Sequence, residues 1–274
     1  TIYVGSAAGG VWKTTDGGSN WVAQANEIEA IGISDIVVQA TSGDDIVFIA
    51  TGDRDHSDTY SVGILKSTDG GSTWTNTGLT YTAGQKKLVN RLLNDPTNSS
   101  IFYAATTDGV HKSTDDGVTW NLISSEVFID MEFKPGASNI IYGSSKMGGI
   151  YKSTNSGNSW NNTLSTSGRR TEMAVSSNNA NVVYALMAAA SSGLYGIYKS
   201  TNSGSSFTEI YNSPNLLGWS CNGGGSGGQG WYDLCIAADP NDVNTVFIGG
   251  VNTWKSTDGG NSWDINNHWS STCG

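Results

Sequence analysis

Short runs in which apolar and polar residues alternate recur along the whole chain, separated by Gly, Asn, Asp and Ser. This period of two is typical of β-strands that bury one face. In the clearest stretch the runs cover 88–94, 101–106, 109–114 and 119–123, and the turn sequence Asp-Pro-Thr-Asn at 95–98 follows the first. The pattern predicts four consecutive strands there, with a turn after each.

An eight-residue phrase of the form Ser/Thr-x-Asp/Asn-x-Gly-x-x-Trp/Phe follows the third strand of each such group. It occurs six times, at 14–21, 67–74, 113–120, 153–160, 200–207 and 256–263. The Asp or Asn can accept backbone N–H bonds, and the Gly can take a positive φ that a Cβ resists. We therefore predict tight turns with structural acceptors at Asp16, Asp69, Asp115, Asn155, Asn202 and Asp258, each ending in an aromatic that packs between sheets.

A repeat of about 40 to 56 residues is that of a supersecondary unit which must stack on its neighbours. Further second strands are expected at 1–5, 45–51, 140–145, 182–188 and 245–250, and further first strands at 33–40, 127–134, 171–177 and 232–238. We predict an all-β fold, a β-propeller of four-stranded antiparallel blades in one domain, at 1–25, 33–77, 88–123, 127–163, 171–211 and 232–266. Because residue 1 opens on a second strand, the first blade is expected to be incomplete and the chain to belong to a larger propeller.

The repeated phrase resembles the Asp-box, or BNR repeat, of sialidases, the sortilin ectodomain and glycoside hydrolase family 74. The resemblance covers nearly the whole chain. It implies that the phrase joins the third and fourth strands of a blade, on the face away from the ligand site, and that its acidic residues are structural. No position is therefore assigned as catalytic.

Four longer segments are similar to a narrower group, the large secreted bacterial proteins that carry an Asp-box propeller, further modules and a type IX secretion sorting domain. They are GGVWKTTDGGSNW (9–21), ATGDRDHSDTYSVGILKSTDGG (50–71), GWSCNGGGSGGQGWYDL (218–234) and GGVNTWKSTDGGNSW (249–263). This resemblance implies a secreted or cell-surface location. It also implies that other modules of the same longer chain are partners.

The composition narrows the choice of ligand. Charged residues make up 14 % of the chain, the formal net charge is −10, and there are ten Trp. No Lys/Arg run is present that could neutralise phosphates, which argues against nucleic acid. No apolar stretch approaches the roughly 20 residues that cross a bilayer, so no membrane insertion is expected.

Three cysteines leave two interpretations open. Cys221 and Cys235 bracket a glycine-rich loop, and a bridge between them would close about 14 residues, worth roughly 3 kcal/mol on chain-entropy grounds. The alternative is two reduced, buried thiols. Cys273 is expected to pair beyond this chain or to stay free.

Three long loops, 51–61, 76–87 and 212–231, are predicted on the face opposite the repeated turns. The first concentrates the ligand-binding candidates Asp53, Arg54, Asp55, His56, Asp58 and Tyr60. Its three aspartates offer oxygen ligands for calcium, the one cofactor considered, although the spacing of a calcium loop is missing. A polar recognition loop and a simple solvated loop are the alternatives.

The third loop carries aromatic candidates: Trp219, Trp231 and Tyr232, with Asp233 close behind. Sugar C–H faces stack on such rings, although the same Trp side chains could simply pack between blades. Arg91 and the pair Arg169-Arg170 also fall near starts of innermost strands and favour an anionic group. A sialidase would need a Phe/Tyr-Arg-Ile-Pro motif, which is absent.

The function expected from the sequence is binding or adhesion to an extracellular glycan or protein. A family 74 glycoside hydrolase is the enzymatic alternative, and a structural module of a surface assembly is the second. Hydrolysis needs two carboxylates, and innermost strands offer Asp35, Asp130, Glu132, Glu172 and Asp233. The resemblance implies a cleft between two propellers, of which this chain offers at most one.

Overall fold

The structure, a computed structural model, describes residues 1–24, 32–55 and 59–273. Within these residues there are 23 β-strands and two single turns of 3-10 helix, Ala83–Gln85 and Ser271–Cys273. Every strand pairs with its neighbours in the antiparallel sense, in six sheets that are called blades 1 to 6 in chain order. The predicted all-β, four-stranded propeller architecture is confirmed. The chain divides into two compact units, Thr1–Phe128 and Ile129–Gly274.

The first unit holds blades 1 to 3. Blade 1 has three strands, β1 (Ile2–Ser6), β2 (Gly10–Thr14) and β3 (Val22–Gln24). Blade 2 has four, β4 (Ile33–Gln39), β5 (Ile46–Thr51), β6 (Gly63–Ser67) and β7 (Thr75–Thr80). Blade 3 also has four, β8 (Val89–Asn94), β9 (Phe102–Thr106), β10 (Gly109–Ser113) and β11 (Asn121–Ser124). Among the described residues blade 1 lacks an innermost strand, as predicted.

The second unit holds blades 4 to 6, each of four strands. Blade 4 contains β12 (Asp130–Lys134), β13 (Ala137–Ser144), β14 (Gly149–Ser153) and β15 (Asn161–Ser165). Blade 5 contains β16 (Thr171–Val175), β17 (Val183–Ala188), β18 (Leu194–Ser200) and β19 (Thr208–Tyr211). Blade 6 contains β20 (Cys235–Ala238), β21 (Val246–Gly249), β22 (Thr253–Ser256) and β23 (Asp264–Asn267). Strand β20 is shorter than predicted because residues 232–234 form a turn in which the N–H groups of Tyr232 and Asp233 donate to Gln229 O.

The six repeated phrases form one hydrogen-bonded turn, called here the repeat turn. In every copy the first Ser or Thr hydroxyl donates to the Asp or Asn Oδ1 at 2.7–3.0 Å. That hydroxyl accepts from the N–H of the Gly in the fifth position at 2.8–3.0 Å. Oδ1 also accepts from the N–H of the seventh residue at 2.8–3.0 Å. The predicted turn chemistry is therefore present in all six copies, whether the acceptor is Asp or Asn.

In blades 1, 2, 4 and 5 a third-strand lysine bonds the repeat turn of the next blade, a contact called here the lysine lock, and in blades 1, 2 and 5 it also lies over an aromatic ring. The lysine near the end of the third strand lies over the ring of its cross-strand partner, at 5.4 Å for Lys13 on Tyr3 and 5.0 Å for Lys199 on Tyr184. Lys13 Nζ donates to Gly70 O at 2.8 Å, and Lys199 Nζ to Gly259 O at 3.3 Å. The equivalent lysines of two other blades bond side chains of the next turn: Lys66 Nζ donates to the Asp116 carboxylate, and Lys152 Nζ donates to the Ser205 hydroxyl. The sequence analysis did not identify this lock.

Carboxylates on innermost strands make a second link between neighbouring blades. The Leu92 N–H of β8 donates to Asp35 Oδ2 of β4 at 2.8 Å. The Met173 N–H of β16 donates to Asp130 Oδ2 of β12, again at 2.8 Å. Because both carboxylates satisfy a neighbouring backbone donor, these links position the innermost strands within each unit.

Candidate functional site

An arginine and two carboxylates meet where the innermost strands of blades 5 and 6 begin. Arg170 is buried, and its Nε donates to Glu172 Oε1 at 2.9 Å. Its guanidinium also donates to the carbonyls of Trp231, Tyr232 and Leu234, at 3.1, 2.6 and 3.4 Å. Arg170 and Glu172 are two residues apart, so both side chains lie on one face of the extended chain. Arg170 thus fixes the backbone that enters blade 6.

Asp233 lies in the segment that Arg170 holds. Its carboxyl group is half-buried, and within the described residues its Oδ1 has no hydrogen-bond partner. Burial raises the pKa of Asp233 above its ordinary value, although the charge of Arg170 acts in the opposite direction. A carboxyl group with a raised pKa is better suited to proton donation than an ordinary aspartate.

Two aromatic residues directly precede this acid in the chain. The rings of Trp231 and Tyr232 are 5.2 Å apart between centroids and inclined by 44°. Both are exposed, as is Trp219 in the same loop. Over two fifths of the surface of Trp219 and of Trp231 faces solvent, so these two side chains do not simply pack between blades. Exposed rings next to a carboxylic acid are typical of carbohydrate sites.

The glycine-rich loop is ordered by one asparagine and one tryptophan. Asn215 Oδ1 accepts from the N–H groups of Leu194 and Leu217, and its Nδ2 donates to Gly227 O at 2.8 Å. Trp254 Nε1 donates to Leu216 O at 2.7 Å. Leu216 and Leu217 are fully buried. Packing and hydrogen bonds therefore fix the path of this loop, together with glycines such as Gly218 and Gly228, where a Cβ would lie 2.1 Å from a backbone oxygen.

The disulfide predicted between Cys221 and Cys235 is wrong. The bridge joins Cys221 to Cys273, with a Cα–Cα distance of 5.2 Å, and Cys235 is free. Cys235 lies in strand β20 and directs its sulfur over Gly249, its partner across the ladder, so it is held away from the loop. The bridge closes a separation of 52 residues, worth about 4 kcal/mol on chain-entropy grounds. Cys273 pairs within the chain, contrary to the expectation.

The 51–61 loop is held by its own backbone. Asp53 is buried, its N–H donates to Thr59 O, and its Oδ1 accepts from the Asp55 N–H at 2.9 Å. Arg54 Nε lies 3.5 Å from Asp55 Oδ1. No three metal-ligating side chains come together within the described residues, and Tyr60 is partly exposed. His56 and Asp58 lie outside the described residues.

The remaining sequence candidates lie in different surroundings. Arg91 lies 3.6 Å from Asp35, the carboxylate that links β4 to β8. Arg169 is exposed and donates to the carbonyl of Gly168 at 3.4 Å. The sequence analysis named the pair Arg169-Arg170 for an anionic group, whereas in the structure Arg170 binds Glu172 and the backbone that leads into blade 6. The spacing Arg170-x-Glu172 at the start of β16 could have revealed this contact, because side chains two residues apart in a strand lie on the same face and these two carry opposite charges.

No family model matches the chain. Xyloglucanase Xgh74A of Acetivibrio thermocellus is 30 % identical over 135 residues, which are 45 % of this chain and 16 % of that protein. The solved GH74 enzyme of Niastella koreensis superposes with a TM-score of 0.71 at 23 % identity, over 97 % of this chain and 43 % of that one. YCF48 from Cyanidioschyzon merolae gives a TM-score of 0.62 at 19 % identity, over 96 % and 80 %. The chain thus spans a small part of the xyloglucanase and under half of the Niastella enzyme.

These comparisons support a β-propeller of the family 74 kind. They also correct the expected function, because the relatives matched in sequence are named xyloglucanases and the structures include named GH74 enzymes. The glycoside hydrolase alternative is favoured over the binding or adhesion module. No helix among the described residues is both long and apolar enough to cross a membrane.

Proposed function

We propose that this chain is a propeller of a family 74 type glycoside hydrolase that cleaves a β-glucan such as xyloglucan. The observation that carries the proposal is Asp233, a half-buried acid with a raised pKa beside two exposed aromatic rings. The similarity of nearly half the chain to a protein named xyloglucanase supports the substrate class.

In this proposal Asp233 is the general acid. A sugar stacked on Trp231 or Tyr232 would present its glycosidic oxygen to the Asp233 carboxyl, which gives its proton to that oxygen as the bond to the anomeric carbon breaks. Arg170 is a positioning residue, because it holds the carbonyls on both sides of Asp233 while Glu172 balances its charge. Burial raises the pKa of Asp233 and so favours the protonated form that a general acid needs.

Hydrolysis also needs a second carboxylate to activate water or to attack the sugar. Asp35 and Asp130 accept hydrogen bonds from neighbouring strands, and Glu172 pairs with Arg170. Glu132, the remaining candidate, is not without an interaction partner either. We therefore propose that the second carboxylate comes from outside these residues. A cleft between two propellers, as the family resemblance implies, would supply it.

The proposal includes several finer expectations. The repeat turns would be Asp-boxes, and the protein would be secreted or displayed at the cell surface through a type IX sorting domain, with other modules of a longer chain as partners. An extracellular glycan would be the substrate, with Trp219 as a further contact. The ligand-binding role of the 51–61 loop, of Arg91 and of Arg169 stays a prediction.

The test is release of oligosaccharides from xyloglucan and other β-glucans by the purified longer protein, which would also hold the proposed second carboxylate. Asp233→Asn should lower turnover by roughly a hundredfold or more, as expected for loss of a general acid. Asp264→Asn, which changes an exposed carboxylate on β23, should leave turnover unchanged. Failure to cleave any β-glucan would contradict the hydrolase proposal, whereas cleavage that survives Asp233→Asn would contradict only the assignment of the acid.

A further inference from the structure

Two lysines of blade 4 bond the repeat turn of blade 5. Lys134 ends strand β12, and its Nζ donates to Ser203 Oγ at 2.7 Å and to Asn181 Oδ1 at 3.2 Å. Lys152 lies on the third strand of the same blade, and its Nζ donates to Ser205 Oγ at 3.0 Å. Both lysines are partly buried. Two positive charges are therefore held against one eight-residue turn.

The two charges are close enough to influence each other. Burial lowers the pKa of Lys152, and the positive charge of Lys134 lowers it further. Among the residues that the structure describes, the acceptors of both lysines are hydroxyl and amide oxygens, and none is a carboxylate. Neutral acceptors leave the two like charges uncompensated, so an anion placed between them would be strongly attracted.

The equivalent lysines of the other lysine locks have acidic neighbours. Lys66 Nζ is bonded to the carboxylate of Asp116, which holds the fourth position of the blade 3 turn. Burial lowers the pKa of Lys199, and Asp258, at the third position of the blade 6 turn, acts in the opposite direction. In these two locks the protein itself supplies the negative charge.

The lock between blades 1 and 2 also includes an aspartate. Lys13 Nζ and Tyr3 OH both donate to the Gly70 carbonyl. Tyr3 OH also donates to Asp45 Oδ2 at 3.2 Å, so this carboxylate lies beside the ring that Lys13 covers. The backbone of Asp45 marks its place in the repeat, because its carbonyl accepts from the N–H of the fourth residue of the turn.

At the blade 5 turn all three of these acidic positions are neutral: Asn202 replaces Asp258, Ser203 replaces Asp116 and Asn181 replaces Asp45. The last equivalence rests on the same backbone bond, since Ser203 N–H donates to Asn181 O. The contact also gains a charge, because Lys134 ends the first strand where blade 2 has the neutral Gln39. This one contact therefore lacks the carboxylates of the others and carries an extra lysine.

We propose that Lys134 and Lys152 bind the carboxylate group of an acidic ligand at the blade 5 turn. A carboxylate is the group that Asp116 presents to Lys66, and its two oxygens can accept from both ammonium groups. Two sources share this chemistry, a free organic acid and a uronic acid of an acidic polysaccharide. The proposal is independent of the hydrolase activity, because it rests on none of the residues proposed for that reaction.

NMR titration of the purified protein, with its lysines labelled with carbon-13 at Cε, tests the site. The Lys134→Arg and Lys152→Arg variants keep the charge and assign the two signals. Sodium D-galacturonate, added at a constant ionic strength of about 0.1 M, should shift both signals with one dissociation constant on the order of 1–10 mM. The Lys66 signal should stay in place because Asp116 already occupies it. D-Galactose, which lacks the carboxylate, should shift none of them.

Two further titrations distinguish the sources of the carboxylate. Sodium acetate that shifts both signals as strongly as galacturonate would support the site and identify the carboxylate alone as sufficient. Galacturonate oligomers that act at a concentration about tenfold lower than the monomer would support it and identify an acidic polysaccharide, since neighbouring sugars then add contacts.

The sharpest variant is Ser203→Asp. Ser203 and Asp116 hold the same turn position with φ of 57° and 63°, so aspartate fits there, pairs with the lysines and should abolish the galacturonate shifts. Lys152→Ala should weaken binding about tenfold, read from the Lys134 signal, as expected for loss of one charge-assisted bond. Lys86→Gln, which removes an exposed positive charge elsewhere, should leave binding unchanged.

A circular dichroism melt that matches the wild type shows that each variant is folded. No shift at about 50 mM galacturonate, well above the expected dissociation constant, would overturn the proposal. An equal shift with galactose would overturn it too, as would binding that survives both Ser203→Asp and Lys152→Ala.

Discussion

Trp12 and Trp254 occupy the same place in the repeat and have opposite surroundings. Each precedes the lysine of a third strand, and each is followed by a repeat turn. Trp254 is buried and its Nε1 donates to Leu216 O of the preceding loop, whereas Trp12 is exposed and its Nε1 donates to the nearby Gly9 O. The local sequence therefore sets the strand, and a neighbouring blade decides whether its face becomes core.

The largest expected effect is a difference in stability between these two tryptophans. Trp254→Ala should lower the free energy of unfolding by about 3–5 kcal/mol, because it removes a fully packed ring from the blade 5 and 6 core. Trp12→Ala should cost less than about 1 kcal/mol. Urea unfolding at 1 µM, followed by circular dichroism, measures both. Equal losses would show that blade 1 is packed as tightly as blade 6.

A smaller difference is expected between two turn glycines with positive φ. Gly204→Ala and Gly18→Ala both force an L side chain into the left-handed region, at about 1 kcal/mol each. A Cβ at Gly204 would also lie 2.5 Å from buried Tyr142, whereas one at Gly18 has its nearest neighbour, Trp21, at 3.8 Å. Gly204→Ala should therefore cost roughly 1–3 kcal/mol more. The comparison uses the same urea titrations, and a cost that is the same for both would contradict the role of the covering blade.

The smallest effect is a difference in acid sensitivity between the repeat turns that carry Asp and those that carry Asn. Hydrogen bonds, chiefly from the side chains of Asn20 and Thr73, lower the pKa of Asp16 and Asp69 from 3.8 to about 2. Their folded-state pKa lies below the unfolded value, so their contribution to stability is present above about pH 4 and is lost as the pH falls to about 2. Asn155 and Asn202 make the same bonds without titrating.

Hydrogen exchange measured at pH 4.5 and pH 2.5, corrected for intrinsic rates, should show this difference. Acid should increase exchange in 14–21 and 67–74 more than in 153–160 and 200–207. Asp69→Asn should remove the extra increase at its own turn. An equal increase in all four segments would show that the turn carboxylates do not govern acid sensitivity.

The repeat made most of the fold predictable from the sequence. The turn depends on residues within eight positions, so its spacing reveals the strands on either side. The position of the first repeat turn, at 14–21, likewise indicated that only a second and a third strand precede it in blade 1. The ends of strands next to long loops were less predictable, since residues 232–234 are held by Arg170, which is distant in sequence.

The candidate site was only partly predictable because its contacts are not local. Asp233, Trp231 and Tyr232 were identified from their residue types, but Arg170 binds the carbonyls of Trp231 and Tyr232 across a separation of 61 and 62 positions. The pairing of Cys221 with Cys273 likewise depends on where the last residues of blade 6 lie. Residue type selects candidates, whereas the packing of distant segments decides which of them meet.

The lysine lock also bears on how the chain folds. Its bonds join residues 57, 50, 53 and 60 positions apart, nearly one repeat in every case. Within each unit a blade can therefore be added to a folded neighbour by closing one loop of nearly constant length, so the entropic barrier is similar at these four steps. Folding can begin at any pair of blades and spread in either direction, as in other repeat proteins. The folding rate should then change little with the number of blades, because the sequence separation of the contacts does not grow with the length of the chain.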